Sequence, residues 1–203
     1  MENNEYIGII PSHEDGFIIT AETEVKLDAE KAAEKLFHVA KGRLLDVNNW
    51  HGIAGEQLAH FQLTDDSGIE VPGPARKGLF FRVDIPGPGS KEGDGFDWVE
   101  IEEMEQFSSV DKDGIALRVR PASNPATNGN ETAHFYSRDS TSTFTVVRNG
   151  NIVSAVIYDI NTKANKESGN VIDKIRNAVV GTAAILSFSK LQWKNLTNGL
   201  LAR

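Results

Sequence analysis

The residues able to do chemistry in this chain are few, and their spacing narrows what that chemistry is. Five histidines stand at 13, 38, 51, 60 and 134 with no H-x-H or H-E-x-x-H spacing, so any metal site would have to be assembled from distant segments. No metal or cofactor is expected. There is no cysteine, which removes thiolate nucleophiles, disulfides and cysteine-based metal centres together. No G-x-S-x-G elbow exists to expose a serine nucleophile. His134 carries the most weight of the five, because Ala133-His134-Phe135-Tyr136-Ser137-Arg138 sits beside a predicted strand. With Asp97 it is one of two weak candidates for a general base.

The acidic and glycine-rich stretches have plainer readings. Glu100 and Glu102 share a strand face opposite Val99 and Ile101, which makes them a solvated outer surface, with Asp97 pointing inward near one strand end. Arg118 and Arg120 alternate with Leu117 and Val119. They lie either on that outer face or, in a sharper reading, at a rim where Arg118 pairs with Asp97 or a ligand carboxylate. Residues 86–95 resemble a phosphate loop, but Pro86 and Pro88 lack amide hydrogens and the sequence after them reads as strand, so a long hairpin connection or a lid is expected. Asp111-Lys112-Asp113-Gly114 opens like a calcium loop, but position 122 is Ala where a bidentate Glu is needed, so a tight turn is expected. Trp50, Phe81, Trp98, Phe144, Tyr158 and Trp193 are spread over separate elements, and most should be core.

Those residues need elements to hold them. Phe17 to Leu27 alternates, with Ile19, Ala21, Thr23, Val25 and Leu27 on one side, as a half-buried strand does. Asp28 is placed to cap a helix in which Ala32, Ala33, Leu36, Phe37 and Ala40 recur at helical spacing, with Lys41-Gly42 as its stop. A short helix or turn is expected over Leu44–Trp50. From there to Tyr158 the period is two, and strands are predicted near 56–63, 78–85, 96–105, 115–120, 141–148 and 151–160. Asn149-Gly150 between two alternating runs predicts a hairpin with both residues central in a type I′ turn. The stretch Val171–Leu201 has no Pro and carries Ile172, Ile175, Val179, Ala183 and Leu186 at helical spacing. About 28 residues at 1.5 Å each make a helix of some 40 Å, thin in its middle at Gly181, Thr182, Ala183 and Ala184.

The 203 residues carry 21 Lys+Arg against 29 Asp+Glu, a net charge of −8 that argues against nucleic-acid binding. One domain is expected, with 1–16 as an extension and 17–201 as the core. The polar, acidic start is unlike a signal peptide, and no apolar run approaches the roughly 20 residues of a membrane span, so a cytoplasmic location is expected. The order of elements implies an α+β architecture: a curved antiparallel sheet of six to seven strands wrapped around the long C-terminal helix, with a short helix pair after strand 1. Small residues mid-helix leave a hollow, and hollows take ligands.

The strand into helix at 18–40, Trp50 within Asp46-Val47-Asn48-Asn49-Trp50-His51-Gly52-Ile53, and the closing helix 171–201 resemble the polyketide-cyclase/START-like helix-grip superfamily. The resemblance covers roughly residues 17–201. The chain differs from compact bacterial members by extra length at 70–76, 86–95 and 121–133. It implies binding of a lipid, polyketide or other small apolar or amphipathic molecule between sheet and helix. The superfamily has no universal catalytic residues to carry over, and only Trp50 falls at a characteristic position. Walls from Trp50, Phe81, Trp98, Phe144, Val179 and Ala183 would supply affinity, and Arg118, His134 and Tyr158 would orient the ligand. The alternatives are a cyclase- or dehydratase-like enzyme on the same scaffold, or a filled module that works through a protein partner. Ligand identity and oligomeric state do not follow from the sequence.

Overall fold

The computed structural model describes residues 8–55, 59–85, 92–127, 129–165 and 179–203, the side chains of 179–185 excepted. Strand β1 (Phe17–Lys26) leads into α1 (Glu30–Leu45), a 3-10 turn (Val47–Asn49) and α2 (Trp50–Ala54). Six strands follow: β2 (His60–Thr64), β3 (Phe80–Asp84), β4 (Asp97–Ser108), β5 (Lys112–Pro121), β6 (Thr141–Asn149) and β7 (Ile152–Thr162). Helix α3 (Val179–Leu200) closes the chain. The strands form one antiparallel sheet in the order β1-β7-β6-β5-β4-β3-β2. It curves around α3, which packs on β1 and β7 and against α1 and α2. This is the helix-grip architecture. The expected helix residues 171–178 and strand residues 56–58 lie outside the described residues, as does 86–91, the proline-bearing part of the expected loop.

Several boundaries move, each for a local reason. Helix α1 does not stop at Lys41-Gly42. It continues because Leu44 lies one turn beyond Ala40 on the buried face and is fully enclosed, a gain of about 2 kcal/mol against about 1 for a mid-helix glycine. Asp28 is not the cap: Ala29 takes the extended cap conformation and no side chain bonds there. The β6–β7 hairpin forms with its turn one residue later than expected. Asn149 pairs with Ile152, so Gly150 and Asn151 make the loop. Of the two only Gly150 has positive φ, which suits a turn needing it at the first central position alone. The β4–β5 turn likewise falls before Lys112, and Asp113 and Gly114 already lie in β5.

Inward side chains of every strand and the buried faces of α1, α2 and α3 meet in one core. Trp50 is its hub, fully buried, with Phe144, Phe61 and Phe81 ring centroids at 4.7, 5.3 and 5.8 Å. Its Nε1–H is shared between the carbonyls of Arg43 and Leu44. Arg43 in turn donates from one guanidinium nitrogen to the carbonyls of Gly199, Leu200 and Ala202, a cation at the C-terminal end of α3, where the helix dipole favours it. The opposite sheet face is covered in part by the N-terminal segment, where Ile9 packs on Ala116 and Val147.

Candidate functional site

The inner face is not filled evenly. Near the ends of β5 and β7 and the starts of β4 and β6, between sheet and α3, lies a cavity of about 50 Å³ that is partly open to the surface. A water-sized group needs roughly 10–15 Å³, so the hollow admits about three to five of them as it stands. Its walls are mostly apolar: Phe61, Phe81, Val83, Val99, Val119 and Phe144 from the sheet, and Phe188 and Trp193 from α3. The polar side chains of the lining are His134, Tyr136, Ser142, Ser189 and Gln192. Ile85, Phe135 and Phe188, partly exposed, stand where the cavity meets the surface.

His134 and Tyr136 reach the cavity because the segment around them is tied on both sides. Ala133 accepts from Trp98 N–H and donates to the Ala122 carbonyl, extending the end of β4 and β5. On the other side Tyr136 bridges to Ala164, and the Asn165 amide donates to the carbonyls of Thr132 and His134. The extra length at 121–133 thus carries the polar groups to the site.

Burial sets the charge of each group. His134 is buried, and desolvation drives its pKa down to about 3. The Tyr136 backbone N–H donates to His134 Nδ1 at 2.9 Å, so the ring is neutral with its proton on Nε2. Tyr136 has its phenol pushed up by burial and by the Asp159 charge, and its hydroxyl bonds Ser189 at 3.2 Å. Gln192 is 2% exposed; its Oε1 accepts from Ala59 N–H at 2.9 Å, while its Nε2 has no hydrogen-bond partner. Behind this wall Asp159 is enclosed. Desolvation raises its carboxyl to about 6 although the Ser142 hydroxyl and Trp193 Nε1–H, the latter at 2.7 Å, favour the charged form. Its Oδ1 lacks a partner in ordinary geometry. Asp97, also buried, is raised by desolvation to about 7 against a bond from the Phe135 backbone N–H.

The cavity brings together His134, Phe81 and Phe144 of the sequence candidates. Trp50 packs directly behind Phe61, Phe81 and Phe144 but does not line the hollow. Asp97 lies beside the wall, opposite Val83 in the β3–β4 pair. Three expectations are corrected. Arg118 lies on the outer face, where its Nε donates to Glu102 at 2.5 Å and another nitrogen donates to the Ile9 carbonyl. It pairs with Glu102 rather than Asp97 because Glu102 is the extra residue of a β-bulge between Ile101 and Glu103, and there meets both Arg118 and Arg120. Tyr158 alternates with inward Ile157 and Asp159 and so faces away from the cavity. Trp98 is buried on the outer face under the 92–95 turn, its Nε1–H donating to the Gly93 carbonyl. Val179 and Ala183 lie outside the described side chains.

Sequence reasoning missed Tyr136, Ser189, Gln192 and Asp159. For Asp159 a signal existed: it continues the inward series Val153, Ala155, Ile157 as a carboxylate on an apolar face. Gln192 similarly lies one turn before Leu196 on the buried stripe of α3.

No family model matches this chain, and no curated protein matches it. Among solved structures it is similar to a hypothetical protein from Helicobacter pylori, at 12% identity and TM-score 0.47, covering 89% of this chain and 86% of that one. It is also similar to norcoclaurine synthase from Thalictrum flavum in complex with dopamine and hydroxybenzaldehyde, at 9% identity and TM-score 0.33, covering 87% and 85%. A START superfamily protein from Mycobacterium smegmatis matches at 11% identity and TM-score 0.32, covering 87% and 98%. Likeness at this level transfers no residue roles. The helix-grip assignment rests on this chain's own strand order and on the helix its sheet encloses.

Proposed function

We propose that this chain binds a small, largely apolar molecule in the cavity between its sheet and α3. The observation that carries the proposal is the hollow itself: mostly apolar walls around an unfilled space, with a few polar side chains among them. A core closed for stability alone would fill that space, since each unfilled methyl-sized void costs about 1 kcal/mol. The resting cavity is small, so a ligand of ring size enters only as Phe135, Phe188 or Ile85 turn aside.

The enzyme alternative draws less support. His134 faces the cavity, but a ring whose conjugate acid lies near 3 is a weak base at neutral pH. Asp97 has a carboxyl near 7, suited to proton transfer, but it is bonded to the Phe135 backbone and does not line the cavity. Neither group is therefore both placed and poised to relay a proton to a ligand in the cavity.

Xenon tests the reading, because it enters apolar hollows and has little affinity for polar surfaces. The ¹²⁹Xe resonance should shift on titration with the wild-type chain, and the shift should shrink with Val119→Phe, which fills the hollow. A wild-type response no larger than that of Val119→Phe, with both chains folded, would end the proposal.

A further inference from the structure

The polar residues of the cavity lining select among ligands, and this inference rests on the binding reading above. Two side chains there have their roles fixed by bonds made elsewhere. Gln192 Oε1 takes the Ala59 N–H, which only an oxygen can accept, so the amide orientation is set and Nε2 is the enclosed end without a partner, on a side chain that lines the cavity. His134 Nδ1 takes the Tyr136 N–H, which leaves the proton on Nε2. Both groups that line the hollow therefore offer N–H. A buried donor with no partner costs the fold free energy, and a ligand acceptor recovers it. Tyr136 and Ser189 hydroxyls already bond each other.

Charge narrows the choice further. Among the described residues no Lys or Arg lines the cavity. Among the described residues, the buried carboxyls of Asp159 and Asp97 stand close to its wall, raised by desolvation to about 6 and about 7. An anionic ligand would be stripped of water with no cation to receive it and two acids close by. A cationic one would meet two N–H donors. We infer that the site takes a neutral, ring-sized molecule presenting a carbonyl-type acceptor to Gln192 Nε2–H and His134 Nε2–H, its apolar body against Phe61, Phe81 and Phe144.

Isosteres separate this from mere apolar binding. Cyclohexanone and methylenecyclohexane have nearly the same shape and differ in the acceptor. Titrated into the wild-type chain by calorimetry or ligand-observed NMR, the ketone should bind about tenfold more tightly, the worth of one well-made hydrogen bond in a dry site. Gln192→Met keeps the bulk and loses the donor, and should bring the pair to within about twofold. Because that change also strips Ala59 N–H of its acceptor, the wild-type chain supplies an independent reading. The Gln192 side-chain amide protons should move downfield with the ketone and stay in place with the alkene. Equal binding of the isosteres, or an unmoved Gln192 amide, overturns the acceptor assignment and leaves the cavity reading intact. Binding of neither overturns both. Tighter binding of cyclohexanecarboxylate or cyclohexylammonium than of the ketone overturns the requirement for a neutral ligand.

Discussion

At the hairpin end of the sheet's inner face, Arg148 Nε and Asp113 Oδ2 meet at 2.6 Å, with the remaining guanidinium nitrogens on the Gly150 and Val110 carbonyls. At the far end Asp159 and Asp97 are buried as Arg148 is, and more deeply than half-buried Asp113, yet among the described residues no Lys or Arg stands within ion-pair reach of either. Burial raises all three carboxyls, but the Ser108 hydroxyl and Arg148 outweigh it at Asp113, whose pKa falls below 3.8. The same fold thus pairs buried charge with a counter-ion at one end and leaves it with neutral hydrogen-bond partners alone at the other. Such a contrast within one sheet separates a buried polar group given its counter-charge from one that carries the cost of its own desolvation.

The largest effect should come from breaking the satisfied end. Asp113→Asn leaves the Arg148 guanidinium, 2% exposed, without its counter-charge. Stripping one partner from a buried pair costs about 3–5 kcal/mol, and the urea midpoint should fall accordingly. A loss under about 1 kcal/mol would mean that Arg148 is held by its carbonyl contacts and that the two ends differ less than their geometry implies.

The unsatisfied end should respond with the opposite sign. Asp159 has a folded pKa of about 6 against 3.8 unfolded, so the folded chain binds more protons in that interval and stability falls as pH rises through it. Asp97 acts the same way up to about 7. His134 acts oppositely, because its lowered pKa makes stability rise between about 3 and 6.5. The wild-type profile therefore mixes opposing slopes, and a difference measurement isolates one. Asp159→Asn and wild type should be nearly equal at pH 4, and the variant should gain about 2–3 kcal/mol relative to wild type by pH 7.5. A gap that does not change with pH would show that Asp159 carries no penalty for its charge.

How much of this contrast could be read from the sequence depends on whether a local rule was at work. Alternation placed β1 and the central strands, and the turn chemistry at 149–151 placed the hairpin to within one residue. The register missed because either Asn149 or Gly150 can lead such a turn, and pairing across to Ile152 decides. The two ends were unequally legible. Arg118 and Arg120 alternate correctly, but a bulge at Glu102 is a property of two strands together, so their true partner was hidden. Tyr136 and Gln192 meet across long sequence separation, and no local pattern brings them to one cavity. Asp159, like Asp97 and Arg148, broke its own strand's inward apolar series, and for that reason it was visible in principle.

The grip on α3 sharpens the comparison from another side. A Cβ at Gly199 would lie 2.1 Å from the Ile53 carbonyl oxygen, so the C-terminal end of α3 touches α2 backbone to backbone. Gly199→Ala should cost about 2 kcal/mol, because the helix must back away from α2. If the cavity depends on how α3 is seated, the same change alters xenon uptake, although Gly199 is remote from the hollow. Unchanged stability and unchanged uptake together would show that α3 shifts freely over the sheet.

The smallest effect bears most directly on the hollow. Val99 lines the cavity from β4 and is 4% exposed, and Val99→Ile adds one methyl group toward the space. In a packed core an added methylene forces strain and typically costs about 1 kcal/mol or more. Into a void it replaces missing contacts and should stabilise by about 0.5–1 kcal/mol. The sign alone is therefore informative, and a thermal melt with and without cyclohexanone reads it twice. The apo form of the Val99→Ile chain should melt higher than wild type, and the ketone should add less stabilisation than it does to wild type, because the methyl occupies ligand volume. A variant that melts lower would mean that side chains already close the hollow in solution, and that the cavity end is packed as completely as the Arg148 end.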